Sequence, residues 1–296
     1  MRIVFSSNIS WSIYNFRVPL LKALQKQGHT IYTVANKDEY AIKLEDEGFN
    51  FIEIKLNNNT TNPIEDLKTI YNYYKIYKKI KPEIICHNAI KPNIYGTIAA
   101  SMLGIPTINN ISGLGTVFIK KSFSTSIAKW LYSYSQKKAT KIFFQNNDDL
   151  KLFISNNLVK KDKCQVIPGS GVNTMKFKPK ESKKIVDNFQ FLFVGRLLYD
   201  KGIREYIEAV KIIKAKYPKT NFAILGPLYK NNATAISEET LNSWINEGII
   251  NYLGQSDAVE DVLKNAHCVV LPSYREGLSK VLIEASSMSI PIVTTN

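Results

Sequence analysis

Short apolar runs alternate with longer amphipathic segments along almost the whole chain. The runs are rich in Ile, Val and Phe, as the buried strands of parallel sheets are. Between them, apolar residues recur every three or four positions, which is the spacing of an amphipathic helix. We expect strands at residues 2–5, 30–34, 51–54, 83–86, 107–110, 142–144, 191–194, 222–225, 250–253, 268–271 and 291–294. This alternation predicts an α/β fold with doubly wound parallel sheets.

The alternation fails once, between residues 168 and 188. Glycine and proline residues lie there beside a charged run, a composition that is typical of a linker between domains. The sequence therefore predicts a Rossmann-like domain over residues 1–170, a linker over 171–188 and a second Rossmann-like domain over 189–296. Two such domains are expected to face each other across a cleft that binds a ligand.

Composition narrows the class of protein. The 296-residue chain has a net charge of +14, but its basic residues are almost all Lys, and Arg occurs at only five positions. Because arginine is the preferred residue for reading nucleic acids, this balance disfavours a dedicated nucleic-acid binder. Attraction to an anionic membrane surface fits better, at ~1 kcal/mol per Lys near the headgroups. Cys86, Cys164 and Cys268 lie far apart in or beside strand-like runs, so we expect buried thiols in a reducing compartment.

Two targeting features are missing from the sequence. Met1 is followed directly by a strand-like run rather than by a secretory signal. No apolar run reaches the ~18–20 residues that are needed to span a bilayer. These observations favour a cytoplasmic protein.

The stretch with the most chemistry covers residues 268–285. Its apolar start predicts a buried strand, and the apolar stripe after Gly277 predicts a helix. Glu276 lies on the loop between them, and Glu284 lies about two turns into the helix. Such a strand end beside a helix N-terminus is a common anion site. As a bare pair the carboxylates also fit a glycoside hydrolase or two solvated side chains, whereas a buried Glu284 would suit a ribose diol.

A second motif opens the second predicted domain. Gly195 and Arg196 follow a strand, and Lys201 and Gly202 precede the next helix. Two cations beside a helix N-terminus suit a diphosphate, with Arg offering a fork and Lys a point charge. Taken alone, the segment fits two solvated charges that flank a turn better; together with residues 268–285, it favours phosphate binding.

The combined pattern resembles the retaining GT-B glycosyltransferases of family 4, whose E-x7-E motif matches Glu276 and Glu284. The similarity extends over the whole chain. At residues 13–17, 87–96 and 111–118 it is particular to bacterial transferases that build cell-surface glycans on polyprenyl-diphosphate carriers. The resemblance implies a GT-B fold, a UDP-sugar donor and a polyprenyl-diphosphate-linked acceptor.

The resemblance also implies roles for individual residues of the second domain. Arg196 and Lys201 would bind the donor diphosphate and stabilise the leaving group, and Glu276 would lie at the transferring sugar, which makes these three the catalytic set. Glu284 would hold the ribose hydroxyls of the nucleotide. Retention in this family is usually explained by front-face attack without a covalent enzyme intermediate.

Further donor and acceptor contacts follow from the same resemblance. The amides of Gly277 and Leu278 would lie near the donor phosphates, and the family needs no metal or other cofactor. The first domain would bind the acceptor, with His87, Lys91 and Ser112 as candidate contacts. For His87 a structural or capping role is an equal alternative.

Two further expectations concern contact with the membrane and the end of the second domain. The Tyr- and Lys-rich residues 71–81 and the aromatic residues 120–134 are candidates for a membrane interface, with ordinary amphipathic helices as the alternative. The family continues beyond the strand at 291–294, so we expect a truncated second domain.

The expected function is sugar transfer at the inner face of the plasma membrane. The alternatives are a non-catalytic nucleotide-sugar-binding remnant, a UDP-sugar epimerase of GT-B fold and a basic nucleic-acid binder.

Overall fold

The computed structural model describes residues 1–57, 63–112, 123–180, 188–229, 232 and 234–295, and only the backbone of residues 123–126 and 128. The chain divides into two compact units, Met1–Ser170 and Gly171–Asn296. Each unit contains one parallel sheet flanked by helices, which confirms the predicted α/β class. Among the described residues, the structure contains no helix of the length and apolarity needed to cross a bilayer.

The first unit is built on a sheet of seven parallel strands. The strands are β1 Arg2–Ile9, β2 Thr30–Asn36, β3 Asn50–Glu53, β4 Ile84–Asn88, β5 Thr107–Ile111, β6 Lys141–Phe144 and β7 Cys164–Val166. Their order in the sheet is β3-β2-β1-β4-β5-β6-β7. Strands β2 and β3 are added on one side of β1, and strands β4 to β7 are added on the other side. The boundary between β1 and β4 is therefore the topological switch point, where open α/β sheets bind ligands.

Helices cover both faces of the first sheet. They are α1 Ser10–Lys26, α2 Tyr40–Asp46, α3 Pro63–Ile80, α4 Thr97–Met102, α5 Phe123–Lys138 and α6 Asn147–Ser155, with a π-helix at Pro92–Gly96 before α4 and a 3₁₀ turn at Lys161–Lys163. Alternate residues of β1 enter different cores. Val4 joins the core that contains Tyr77 of α3, and Phe5 joins the core that contains Leu21 of α1. This alternation follows from the two-residue period of a strand.

The start of the chain differs from the prediction. The first strand was expected to end at residue 5, but β1 continues to Ile9 and α1 begins directly at Ser10. The register between β1 and β2 shifts between Ser6 and Ile9, so the strand is irregular where it ends. The first turn of α1 contains no acidic residue, and the Asp38 carboxylate accepts the Trp11 amide instead. A distant side chain thus replaces the local cap that the sequence lacks.

The second unit repeats the same plan with five parallel strands. These are β8 Gln190–Val194, β9 Asn221–Leu225, β10 Asn251–Tyr252, β11 Cys268–Leu271 and β12 Ile292–Thr294. Their order is β10-β9-β8-β11-β12, so the switch point of this sheet lies between β8 and β11. The helices are α7 Ile203–Lys216, α8 Glu238–Asn246, α9 Val259–Leu263 and α10 Lys280–Ser287, and a 3₁₀ turn at Tyr199–Lys201 precedes α7. Leu192 and Phe193 of β8 enter opposite cores.

Candidate active site

The predicted donor-site residues lie on two loops that leave neighbouring strands of the second sheet. One loop follows Val194 at the end of β8, and the other follows Leu271 at the end of β11. These two strands pair in parallel, so both loops emerge at the same edge of the sheet. The edge is also the switch point of the unit, which brings separate motifs together at a typical ligand-binding position.

Backbone contacts hold the two loops against each other. Gly202 has a φ of +74°, and a Cβ added there would overlap the carbonyl oxygen of Pro272. Only glycine combines this conformation with this close approach. The Tyr274 amide donates to the Asp200 carbonyl at 3.0 Å, and the Ser273 hydroxyl donates to the same carbonyl at 3.2 Å. The relative position of the two loops is therefore determined by packing and hydrogen bonds before any side-chain charge is considered.

Two of the three predicted catalytic residues form an ion pair between these loops. Lys201 ends the 3₁₀ turn before α7, and its Nζ lies 2.5 Å from Oε1 of Glu276 on the other loop. Their side chains are only 18% and 29% exposed, so the pair is better shielded from solvent than an ordinary surface salt bridge. A cation and a carboxylate are thus concentrated at the edge of the sheet.

Arg196 lies at the same edge but has a different partner. It follows Gly195 at the end of β8, is exposed, and places its guanidinium 5.3 Å from the centroid of the Tyr229 ring. A cation–π contact at an exposed site contributes only about 0.5–1 kcal/mol, so it orients the guanidinium without holding it tightly. The structure therefore does not place Arg196 in the Lys201–Glu276 pair.

Glu284 is a buried carboxylate on the inner side of α10. Its side chain is 8% exposed, and the Nζ of Lys280, one helical turn earlier, lies 3.5 Å from Oε1. Burial raises the pKa of Glu284, and the nearby charge of Lys280 only partly opposes this shift. An ionised carboxylate can accept about four hydrogen bonds, so it keeps capacity for hydroxyl donors beside this one ammonium.

The start of α10 supplies the remaining predicted donor contacts. Gly277 and Leu278 lie between Glu276 and the helix, and the N-cap residue is Ser279. The Ser279 side chain makes no capping hydrogen bond, so it does not compete for the first amides of the helix. Within the described ranges, no cluster of three or more His, Cys, Asp or Glu residues could hold a metal ion.

Two features of this site were not predicted from the sequence. Lys280 beside Glu284 could have been found, because lysine four positions before a glutamate on a helix is a recognisable pairing. The Asp200 carbonyl, which accepts from the β11 loop, has no signal in the sequence because any residue type offers a carbonyl.

His87 occupies the interior of the first unit. Its side chain is fully buried, with Nε2 2.9 Å from the Tyr77 hydroxyl and Nδ1 3.0 Å from Oδ1 of Asn109. A Cβ added to Gly96 would overlap the imidazole ring, so the π-helix closes over it. Burial lowers the pKa of His87 to about 4, which keeps the ring neutral at pH 7. Because protein atoms occupy both ring nitrogens, we correct the predicted acceptor contact to the structural alternative.

The other two predicted acceptor residues lie nearer the surface of the first unit. The Lys91 Nζ is 3.6 Å from Oδ1 of Asp66, and both side chains are largely shielded from solvent. An anion at Lys91 would therefore share the ammonium with Asp66. Ser112 is exposed and directly follows β5. Gly113 and Gly115, which belong to the family-resembling segment 111–118, lie outside the described residues.

Comparison with known proteins defines the class of the molecule. The family described as "Glycosyl transferases group 1" matches residues 174–296, and "Glycosyl transferase 4-like" matches residues 2–146. The crystal structure of Anabaena HepE in complex with UDP and glucose shares the fold, with a TM-score of 0.78 and 15% identity over 99% of this chain and 80% of that chain. The fold class is GT-B, and the protein is a glycosyltransferase.

Curated relatives assign the family. The chain is 31% identical over its full length to the N,N'-diacetylbacillosaminyl-diphospho-undecaprenol alpha-1,3-N-acetylgalactosaminyltransferase of Campylobacter jejuni, of which it spans 81%. It is 29% identical over 79% of its length to the UDP-Gal:alpha-D-GlcNAc-diphosphoundecaprenol alpha-1,3-galactosyltransferase of Escherichia coli, of which it spans 62%. This chain belongs to the group 1, family 4-like glycosyltransferases.

Proposed function

We propose that the protein is a retaining glycosyltransferase that moves a sugar from a UDP-sugar to a saccharide carried on polyprenyl diphosphate. The transferred sugar would be an N-acetylhexosamine or a hexose, and the product would enter a bacterial surface glycan such as capsule, O-antigen or a glycoprotein glycan. Both relatives carry names that specify diphosphoundecaprenol-linked acceptors, and one name specifies UDP-Gal. The observation that carries the proposal is the Lys201–Glu276 pair at the switch point of the second sheet.

The proposed chemistry needs a cation where the leaving group departs. Transfer breaks the bond from sugar C1 to the diphosphate, whose oxygen keeps the electron pair, and forms a bond from C1 to an acceptor hydroxyl. The hydroxyl proton leaves with the diphosphate. Arg196 and Lys201 would bind the diphosphate and stabilise the charge that develops on it. A diphosphate at Lys201 would compete with Glu276 for the ammonium, which would free that carboxylate to face the transferring sugar.

Glu284 fits the nucleotide part of the donor. Its buried carboxylate offers acceptors to a pair of ribose hydroxyls, and burial strengthens such hydrogen bonds. The amides of Gly277 and Leu278 would lie near the phosphates at the start of α10. We propose no metal or other cofactor, because Arg196 and Lys201 would supply the positive charge.

We assign the donor nucleotide to residues 189–296 and the acceptor to residues 1–170. In the first unit, Lys91 is our candidate for the acceptor diphosphate, in competition with Asp66. Ser112 is the candidate for a hydroxyl contact at the end of β5.

We also propose that the first unit rests on the inner face of the plasma membrane. On α5, exposed Ile127, Trp130 and Tyr134 form an apolar stripe, and the rings of Trp130 and Tyr134 stack at 5.8 Å between centroids. Lys138 lies over the Tyr134 ring at 4.8 Å, so a positive charge borders the stripe. Aromatic side chains with flanking lysines suit the interface of an anionic bilayer.

Vesicle flotation tests the membrane proposal. The double variant Trp130→Ser, Tyr134→Ser should lose flotation with phosphatidylglycerol vesicles, whereas Tyr217→Ser in the second unit should float like the parent. Tyr217 is a matched control because it is as exposed as Trp130, at 65% each. Equal flotation of the double variant and the parent would exclude α5, and the corresponding test on Leu67 and Tyr71 of α3 would then locate the contact.

Transfer of labelled sugar tests the activity. The protein is incubated with a panel of labelled UDP-hexoses and UDP-N-acetylhexosamines and with undecaprenyl-diphosphate-linked N-acetylhexosamine in detergent. The proposal predicts one lengthened lipid-linked saccharide, with the same anomeric configuration as the donor by NMR. Conversion of the UDP-sugar into another UDP-sugar would instead indicate an epimerase, and UDP binding without any turnover would indicate a binding remnant.

A further inference from the structure

A half-buried arginine lies at the switch point of the first sheet. Arg17 is on α1, which follows β1, and its Nη2 donates to Oδ1 of Asn88 at 2.8 Å. Asn88 is the last residue of β4. The side chain therefore links α1 to the carboxyl end of β4, one of the two strands between which the sheet order reverses, the position where ligands bind in open α/β sheets.

Arg17 has no anionic partner in the described part of the chain. The acidic group that interacts with it is the thiol of Cys86, whose pKa is raised by burial to about 12. That thiol is uncharged at pH 7 and cannot neutralise the guanidinium. Burial also lowers the pKa of Arg17, so the charged form carries an uncompensated desolvation cost. An arginine retained only for stability would be expected to pair with a carboxylate, as Arg2 pairs with Glu83 at 3.6 Å.

The surroundings of Arg17 offer acceptors to hydroxyl groups. Asn110 at the end of β5 donates from Nδ2 to the same Asn88 oxygen at 3.1 Å, while its own Oδ1 is buried without a donor among the described residues. The Oδ1 of Asn8, near the end of β1, is likewise buried and unpartnered there. Buried acceptors of this kind need donors. The adjacent ends of β4 and β5 thus combine an unpaired cation with one free acceptor, and a second free acceptor lies near the end of β1.

We propose that Arg17 is a phosphate-binding residue, and that this edge of the first sheet binds the diphosphate of a sugar diphosphate while Asn110 accepts from one of its hydroxyls. A guanidinium offers a phosphate two parallel N–H donors, and the remaining donors of Arg17 are available for this. The unpaired charge of Arg17 supports an anion site independently of the proposed function. The identity of the anion rests on the proposed function, in which both the UDP-sugar and the polyprenyl-linked acceptor contain a diphosphate.

Direct binding tests this proposal without requiring turnover. Titration calorimetry on the full chain uses two probes, UDP and a water-soluble short-chain prenyl-diphosphate-N-acetylglucosamine. Arg17→Gln should weaken one of them roughly tenfold, the size expected for the loss of a charge-assisted hydrogen bond. Arg2→Gln, at the opposite end of β1, is the matched control and should bind both probes like the parent. A loss confined to UDP identifies the donor diphosphate, and a loss confined to the prenyl compound identifies the acceptor diphosphate.

A stability measurement separates a binding role from a structural one. In Arg17→Met the midpoint of thermal unfolding should be equal to or higher than in the parent, because a buried unpaired charge is removed and Asn110 still donates to Asn88. A marked fall of this midpoint would indicate a structural arginine and overturn the proposal. Unchanged affinity of Arg17→Gln for both probes, or no binding of either probe by the parent, would overturn it as well. Parent binding that depends on Arg17 but leads to no sugar transfer would uphold it and refute the proposed function instead.

Discussion

The two units repeat one sheet order but place different charges at their switch points. In the second unit, Lys201 and Glu276 neutralise each other across two loops. In the first unit, Arg17 faces the neutral amide of Asn88. A paired cation binds an anion in competition with its carboxylate, whereas an unpaired cation has no such competitor and its desolvation cost is offset only when the anion arrives. The comparison suggests that the second site rearranges on binding and that the first is preorganised.

The largest expected effect comes from removing the paired cation. Lys201→Ala should lower kcat by roughly 10²–10³, as loss of one group that stabilises the leaving charge does in other enzymes. Lys264→Ala is the matched control, because Lys264 forms a comparable pair with Asp261 at 2.6 Å on the surface of the same unit. If steady-state kinetics showed the same loss in both variants, the Lys201 pair would have no special role.

The buried His87, which precedes Asn88 in β4, should make the unfolding free energy of the protein depend on pH. The pKa of His87 is about 4 in the folded protein and about 6.5 when unfolded, so its neutral form stabilises the fold above pH 6.5 and this contribution is lost as the pH falls towards 4. The difference in unfolding free energy between the parent and His87→Gln should therefore shrink by roughly 3 kcal/mol from pH 7 to pH 4.

Urea unfolding of the two proteins at several pH values measures this difference. The acceptor KM of His87→Gln at pH 7.5 serves as the control and should match that of the parent. A raised acceptor KM in His87→Gln, together with a stability difference that does not change with pH, would indicate that His87 contacts the acceptor.

Glu284 provides a smaller and opposite stability effect. Its pKa is raised in the folded protein, so the ionised carboxylate opposes folding increasingly as the pH rises through the native pKa. Glu284→Gln should therefore unfold at a higher urea concentration at pH 7 while it binds UDP roughly tenfold more weakly. Glu247→Gln, an exposed glutamate that accepts from Ser243, is the control and should change neither property. Unchanged UDP affinity in Glu284→Gln would remove Glu284 from the donor site.

The smallest effect concerns Lys91, whose carboxylate partner can be removed by mutation. Asp66→Asn removes its carboxylate partner, and Lys91→Gln removes the cation. If Lys91 contacts the acceptor diphosphate, the acceptor KM should fall about threefold in the first variant and rise about threefold in the second, because the diphosphate and Asp66 share one ammonium. Changes in the same direction in both variants would contradict the assignment.

Much of the fold could be predicted from the sequence because its signals are local. Six of the seven strands of the first sheet overlap a predicted apolar run, because strand and helix periods are local properties of the sequence. The seventh strand, β7 at Cys164–Val166, was not predicted. The boundary between β1 and α1 could not be predicted, because the cap of α1 is the carboxylate of Asp38, which lies after the next strand. The residues around the start of α1 therefore contain no local signal for that boundary.

The candidate site shows the same division. Lys201 and Glu276 are 75 positions apart and were associated only through resemblance to a family motif, yet the adjacent ends of β8 and β11 bring them into contact. The pairing of Arg17 with Asn88 spans 71 positions and joins two segments that the resemblance singled out, but the resemblance gave neither residue a role. The burial of His87 depends on the π-helix that covers it, which the residues around it do not reveal. Side-chain partners set by topology therefore required the structure.

Release of UDP from a UDP-sugar, measured with and without the lipid-linked acceptor, is the decisive experiment for sugar transfer at the Lys201–Glu276 pair. We predict that UDP appears only when both the preferred UDP-sugar and the polyprenyl-diphosphate-linked saccharide are present, and that Lys201→Ala nearly abolishes this release while Lys264→Ala does not. UDP release that proceeds equally without the acceptor, or that is equally fast in Lys201→Ala, would contradict the proposed transfer.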